Sequence, residues 1–474
     1  MAAVIPMVRE DADQNLARAA FELTEDLIAQ RFEAEYQGRV FYDHARRQWH
    51  IYAPKTGAWR PDRTELVCNF VRDFVRGLNA RNEAKWGKAS VIAAVERLAR
   101  ACPALARNGD ELDADPWLLG TPGGVYDLRE SALADSDPAL HVTRCTTVAP
   151  SFSVPTLWLR FLADATGGDQ GVVDYLQRLA GYALTGSTRE EQLTFFHGPG
   201  GNGKGVFLNT LREIVGDYGK TASMDAFLES KGDRHSADLA MLAGVRLAFA
   251  QESSDGRRWA EDRVKSVTGR DELTARHLYG QFFSFKPQFK LLIASNHKPR
   301  IRSVDDAWRR RLHLVPFERT PTNPDPLLKE KLVAEYPLIL GWMLVGAEWW
   351  HREGLAPPAT ITNASDAYFK EEDITGLWFA DCCEGSPTAR TERKNLYQSF
   401  ERWCSDMGHR APTQHALTRW LKQQGYGQDT SNPTRPILGV AVKETGAFTP
   451  AASSSGAPYP DAWTRQEDAD DLPL

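Results

Sequence analysis

FHGPGGNGKGV, residues 196–206, is the stretch on which the fold turns. Its glycines let the backbone fold tightly enough to bring successive N–H groups onto an anion, and Lys204 sets a cation beside them. The apolar run QLTFFH precedes the loop. A helical pattern from Lys204 to about Val215 follows it and adds the helix dipole. Strand, glycine loop and helix in that order predict a site for the phosphates of a nucleotide. It would be formed by Gly198, Pro199, Gly200, Gly201, Asn202, Gly203, Lys204, Gly205 and Val206. One position is out of pattern. The residue after the lysine is ordinarily Ser or Thr, whose hydroxyl holds Mg²⁺, and here it is Gly205.

Two later apolar runs, VRLAFAQE and FKLLIASN, each end in polar residues. They read as buried parallel strands that present chemistry at their C-terminal ends. The first ends in Ala250-Gln251-Glu252, where Gln251 takes the place of the usual metal-holding acid. Glu252 remains as the candidate to touch the metal's water shell or orient an attacking water, with Asp255 as a weaker helper. Mg²⁺ is then expected to rest mainly on phosphate oxygens and water, since this ion keeps much of its hydration. The second run ends in Ser295-Asn296-His297, and Asn296 can donate to and accept from a water beside the γ-phosphate. DDAWRRRL, residues 305–312, sets three arginines before a last strand, RLHLVPF. One is expected to pair with Asp305 or Asp306. Another is expected to reach the nucleotide of a neighbouring subunit.

The chain has 474 residues, 42% hydrophobic and 25% charged, with a net charge of -6. That excludes a uniformly basic nucleic-acid coat, so DNA contacts would need local patches. No run is long and apolar enough for a membrane span, and the N-terminus lacks a secretion-signal pattern. The six cysteines form no CxxC pair and show no zinc spacing, as in a reduced cytosolic protein. Four segments are expected. Residues 1–150 form a mixed α+β accessory domain of helices and a small meander. Residues 151–355 form the catalytic core with a helical bridge, and 356–448 a winged-helix-like domain. The polar tail, 449–474, is expected to be disordered. Residues 390–443 hold nine Lys/Arg against four Asp/Glu, which suits a DNA-facing domain.

The text GYALTG, FFHGPGGNGKGVFLNTLREIVGDYGK, GVRLAFAQES, VTGRDELTARHLYG, KLLIASNHKPRI and DDAWRRRLHLVPF, with DADPWLLGTPGGVYDLRE before it, resembles a known family. This is the superfamily-three helicases of phage and plasmid primase-helicase proteins, of the satellite-phage and poxvirus kind. The resemblance covers about residues 40 to 450. It implies an α/β, AAA+ type P-loop core that binds ATP and Mg²⁺, assembles as a homo-oligomeric ring, a hexamer, and translocates on single-stranded and forked DNA. By position, Lys204 is the phosphate lysine, Glu252 the catalytic acid and metal neighbour, and Asn296 the sensor. Arg311 is the first choice for the arginine finger and Arg310 the second. A hairpin between Glu252 and Asn296 would grip DNA through Arg276, His277, Tyr279 and Gln281, supported by Lys265. Members often carry a primase upstream; with no metal-binding acid cluster before residue 150, priming is expected to fall to a separate primase or polymerase, or to be absent. The bacterial host cytoplasm is the expected location. A nucleotide-dependent DNA-binding or assembly protein without unwinding is the alternative. A small-molecule kinase shares the loop but leaves Asn296, the arginines and the hairpin unexplained.

Overall fold

The computed structural model describes residues 24–78, 84–229, 235–251, 256–276, 280–302, 304–322 and 324–443. The chain divides into two compact units, the first running through Glu372 and the second from Asp373.

The first unit opens with α1 (Glu25–Tyr36), capped by the Thr24 hydroxyl, which accepts from the Leu27 amide at 3.2 Å. Strands β1 (Val40–Asp43), β2 (Gln48–Ala53) and β3 (Ala58–Pro61) form the expected meander. Helices α2 (Leu66–Leu78) and α3 (Ala89–Ala99) follow, and β4 (Ala106–Arg107) pairs parallel to β1. The Pro122-Gly123 turn joins β5 (Leu118–Thr121) to β6 (Gly124–Asp127), with β7 (Ala132–Leu133) at the edge. Helices α4 (Thr156–Thr166) and α5 (Gln170–Leu184) form the predicted bridge. α5 is buried almost all round because its sequence is apolar on nearly every face.

The core is β8 (Leu193–His197), α6 (Lys204–Val215), β9 (Gly219–Thr221), α7 (His235–Ala240), β10 (Leu247–Gln251) and α8 (Glu261–Thr268). It continues through the hairpin β11 (Leu273–Arg276) and β12 (Phe282–Phe285), then β13 (Lys290–Ser295), α9 (Asp306–Arg309) and β14 (Leu312–Pro316). Five strands pair in parallel in the order β14-β8-β13-β10-β9. Alternate residues of these apolar strands enter two cores. Phe196, Phe249, Leu292 and Val315 pack against helices on one face; Phe195, Ala248, Ile293 and Leu314 pack on the other. Burial on both faces is why the runs read as continuously apolar.

Helices α10 (Leu328–Val333), α11 (Tyr336–Glu353) and α12 (Ala359–Glu372) complete the unit. The break therefore falls at Glu372, beyond the predicted 355. On α12, Ile361, Tyr368 and Phe369 are buried, and the Ser365 hydroxyl accepts from the Leu314 amide at 2.9 Å. Nor does 150 mark a separation. Arg246, 1% exposed, donates to Leu118 O and Leu184 O, both at 2.7 Å, and its guanidinium lies over the Tyr218 ring. Accessory block and core are thus bolted together by one buried cation on backbone carbonyls.

The second unit runs helix, strand, helix, helix, strand: α13 (Ile374–Cys382), β15 (Cys383–Thr391), α14 (Arg393–Asp406), α15 (Gln414–Gln423) and β16 (Ile437–Val442). β15 and β16 pair antiparallel around a bulge, over a core of Trp378, Phe400, Trp403, Leu417 and Leu421. The acidic tail lies outside the described residues.

His313 on β14 supplies a pH signature. Its Nδ1 bonds the Tyr175 hydroxyl at 2.8 Å, and burial pushes its pKa down to about 4. The folded state therefore resists a proton that the unfolded chain accepts near pH 6.5. Stability is full above that value and falls as pH drops toward 4. Between pH 6.5 and 5 the loss from this group is about 2 kcal/mol. Urea unfolding at the two pH values checks it, and His313→Phe is expected to flatten the difference.

Candidate nucleotide site

The loop after β8 lies at the C-terminal edge of the sheet, between the ends of β13 and β14. Gly198 (φ 150°) allows it to start, because a Cβ there would lie 1.9 Å from Phe317 O. Gly203 (φ 93°) forms the N-terminal cap of α6, and a Cβ would press into the Phe161 ring at 2.9 Å. The buried Asn202 holds the loop to the chain beyond β14 by donating to Phe317 O. Pro199, Gly200 and Gly201 are exposed at the rim, and Val206 packs against the core below.

Lys204 is folded back across the loop. Its ammonium donates to Gly198 O at 2.6 Å, Pro199 O at 2.9 Å, and the Oδ1 atoms of Asn202 and Asn296, both at 3.1 Å. All four acceptors are neutral, and among the described residues Lys204 makes no ion pair. Burial pushes its pKa below the ordinary lysine value. Among the described residues this is a cation without a counter-charge at the N-terminus of α6, an arrangement suited to receiving an anion. Asn296 is brought to it from 92 residues away because β13 and β8 are neighbours in register, Ser295 beside His197.

A cleft of about 640 Å³ continues from Asn296 along the ends of β10 and β9, lined by Ser223, Asp225, Gln251, Arg257 and Ser295. Gln251 is exposed at the end of β10; Glu252 and Asp255 lie outside the described residues. Asp225 and Arg257 pair at 2.9 Å in this cleft. They carry no motif in the sequence and meet only through folding. Among the described residues no three His, Cys, Asp or Glu side chains converge as a metal cage. At Gly205 nothing lies within 4 Å of an added Cβ, so a serine fits there. A larger cleft of about 800 Å³ lies in the accessory block between β2 and α3. Its Arg46 and Arg100 are already paired, with Asp43 at 2.8 Å and Glu96 at 2.6 Å.

The arginine triplet divides. Arg311 is 8% exposed, and its Nη2 pairs with Glu191 Oε2 at 3.1 Å. Arg309 lies near Asp366 at 3.9 Å and over the Phe369 ring. Arg310 is exposed and makes no ion pair among the described residues. The one-to-one pairing of β14 with β8 puts Leu312 opposite Leu193, four residues from His197. At ~3.3 Å per residue, the arginines sit about 13 Å from their own loop's end of the sheet.

Arg276 and Gln281 are exposed at the end of the β11–β12 hairpin, while His277 and Tyr279 lie outside the described residues. Phe282, which sequence reasoning passed over, is 65% exposed with the Arg276 guanidinium 4.9 Å from its ring centroid. Lys265 is ion-paired: its ammonium meets Asp305 Oδ2 at 2.8 Å, and Asp305 in turn caps α9.

A glycine loop at the edge of a five-stranded parallel α/β sheet, with an asparagine from the neighbouring strand on its lysine, defines the class of site. Residues 29–167 match the D5 N terminal like family, and 196–311, from the loop to the arginines, match a family of unknown function, DUF5906. The mimivirus protein named "Putative helicase L207/L206" is 25% identical over 369 residues, 71% of this chain and 38% of its own length. "Putative helicase 022R" of Frog virus 3 is 24% identical over 405 residues, 67% of this chain and 41% of its own. The chain thus spans about two fifths of the length of these relatives. The apo A form of the NrS-1 C-terminal region shares the fold with a TM-score of 0.51 at 13% identity, covering 89% of this chain and 100% of that one. These matches support a primase-helicase family of phages and viruses for this chain.

Proposed function

We propose that the chain is an ATP-driven DNA helicase of phage or viral-type replication, with ATP bound between subunits of a ring. The observation that carries this reading is Lys204, a buried ammonium held on four neutral oxygens at the mouth of a glycine loop. An incoming triphosphate supplies the missing negative charge. Lys204 exchanges its carbonyl partners for β- and γ-phosphate oxygens, and the loop amides take the rest. That releases the Oδ1 of Asn296 to orient water at the γ-phosphate. The strand order β14-β8-β13-β10-β9 supports an AAA+ type core, in which Glu252 acts as base beyond Gln251. Magnesium would contribute charge neutralisation on the phosphates. Without a hydroxyl at 205 or, among the described residues, a protein cage, the ion fits here as a hydrated partner of the nucleotide, with Glu252 and Asp225 as the acids nearest in sequence and fold.

DNA would be gripped by the hairpin, Arg276 attracting phosphate and Phe282 offering a ring on which a base can stack. The helix-strand-helix-helix-strand order of the second unit supports a winged helix against duplex DNA. The test is ATP turnover by the wild-type chain with and without single-stranded DNA, followed by unwinding of a fork. Turnover that DNA does not stimulate would sink the helicase reading. The neutral residues at 205 and 251 favour one second reading, nucleotide-dependent assembly on DNA without unwinding. It predicts ATP-dependent DNA binding with no fork separation.

Gly205→Ser probes the metal directly. It removes a helix glycine and returns a hydroxyl to the loop in open space. The Mg²⁺ concentration for half-maximal turnover is expected to fall about tenfold, the value of one charged hydrogen bond of ~1.5 kcal/mol. An unchanged Mg²⁺ titration would place the ion out of reach of residue 205.

A further inference from the structure

We propose that Glu191 is a positioning residue that ties the arginine helix α9 to the base of the β11–β12 hairpin, so that a shift in one moves the other. This rests on the helicase reading above. Glu191 precedes β8, at the end of the sheet away from the nucleotide loop. Its Oε2 holds Arg311, which directly follows α9's C-terminal turn, at 3.1 Å. Its Oε1 lies 3.4 Å from the Nε of Arg270, three residues before β11 begins, and Arg270 also donates to Arg189 O at 2.9 Å. One carboxylate therefore spans the two segments. Its backbone is held in the left-handed region (φ 49°), which a non-glycine residue rarely adopts and which tends to persist where a site needs it.

A second tie runs parallel. Lys265, in the last turn of α8, pairs with Asp305, the residue that caps α9. α8 and β11 are separated only by the short stretch that contains Arg270, so both ends of the arginine helix are fastened to the segment leading into the hairpin. Two clamps restrict relative rotation where one would leave a pivot. In a ring whose arginines meet a neighbour's nucleotide, closure of that interface would displace the hairpin through Glu191 and Lys265, with no continuous path through the nucleotide loop of the same chain.

The test uses the full chain and three readouts: basal ATP turnover, affinity for a single-stranded oligonucleotide, and stimulation of turnover by that oligonucleotide. Glu191→Gln is expected to leave the first two within about twofold and to cut stimulation about tenfold, inside the usual range of coupling between sites. Arg270→Gln, at a side chain 61% exposed, should show the same loss without threatening the fold. The double variant should be no worse than either single one, and Glu191→Asp should restore part of the stimulation. Independent, additive losses, or full stimulation in both single variants, would overturn the tie. If the wild type shows no stimulation, the helicase reading fails separately, and hydrogen exchange then decides. Glu191→Gln should speed exchange in Leu273–Arg276 and Asp306–Arg309 together; faster exchange in only one segment, or neither, overturns the proposal.

Discussion

Lys204→Ala is expected to abolish nucleotide-dependent behaviour and leave the fold standing. In the proposed function the ammonium is the charge that would face the β- and γ-phosphates, and a preorganised donor of this kind is worth about 10²–10³ in turnover. Its loss should also erase the protection that nucleotide gives the fold, ~2.7 kcal/mol for wild type at a ligand concentration 100 times Kd. The apo protein should change by no more than about 1 kcal/mol. Among the described residues Lys204 meets only neutral acceptors there, and its burial already opposes the charged form. Two of those acceptors are amide side chains whose other contacts persist or which can turn to water. Thermal melts with and without ATP and Mg²⁺, beside a turnover assay, check both halves. A variant that still melts later with ATP would remove Lys204 from the phosphate site.

What could be read before the structure was what depends on neighbours in sequence. The loop from Gly198 to Lys204, its flanking strand and its helix are one local unit, and the apolar runs at 247–251 and 290–295 announced buried parallel strands. Asn296 was singled out only together with the loop and Glu252, and the register of β13 with β8 sets its Oδ1 3.1 Å from the Lys204 ammonium. Contacts over long separations were not legible. Arg311 was the first choice for the arginine finger by position alone, and its pairing with Glu191, 120 residues away, could not be read from the sequence. The pairing of Lys265 with Asp305, 40 residues on, could not be read from the sequence. Asp225 and Arg257 share a cleft only because β9 lies at the sheet edge beside β10. Phe282 and Phe283 are indistinguishable as text, and only strand register turns Phe282 outward. The composition change at Pro357 was real but misplaced the boundary, since α12 spends its apolar face on β14.

If one of the three arginines completes a neighbour's site, burial favours Arg310 over Arg311, and the two substitutions should fail differently. Arg311→Ala strands Glu191 beside Arg270 and breaks a largely buried pair, a change that costs about 3–5 kcal/mol where the partner is left uncompensated. Glu191 retains 33% exposure and a second arginine, so the lower end of that range is expected. Arg310→Ala touches no ion pair among the described residues and should leave the melting curve in place. Its effect should fall on turnover, about 10³-fold or more if it stabilises charge on the transferring phosphoryl group. The register of β14 with β8 keeps it about 13 Å from its own loop's end of the sheet, too far to act on its own chain. Mixing decides this. Arg310→Ala chains keep Lys204, and Lys204→Ala chains keep Arg310, so each is inactive alone. In an equal mixture about one interface in four pairs an intact loop with an intact arginine, and turnover should return to roughly that fraction. A mixture as inactive as its components would show that Arg310 does not complete a neighbour's site, and the exposed arginine would then be no more than a solvated charge at the end of α9.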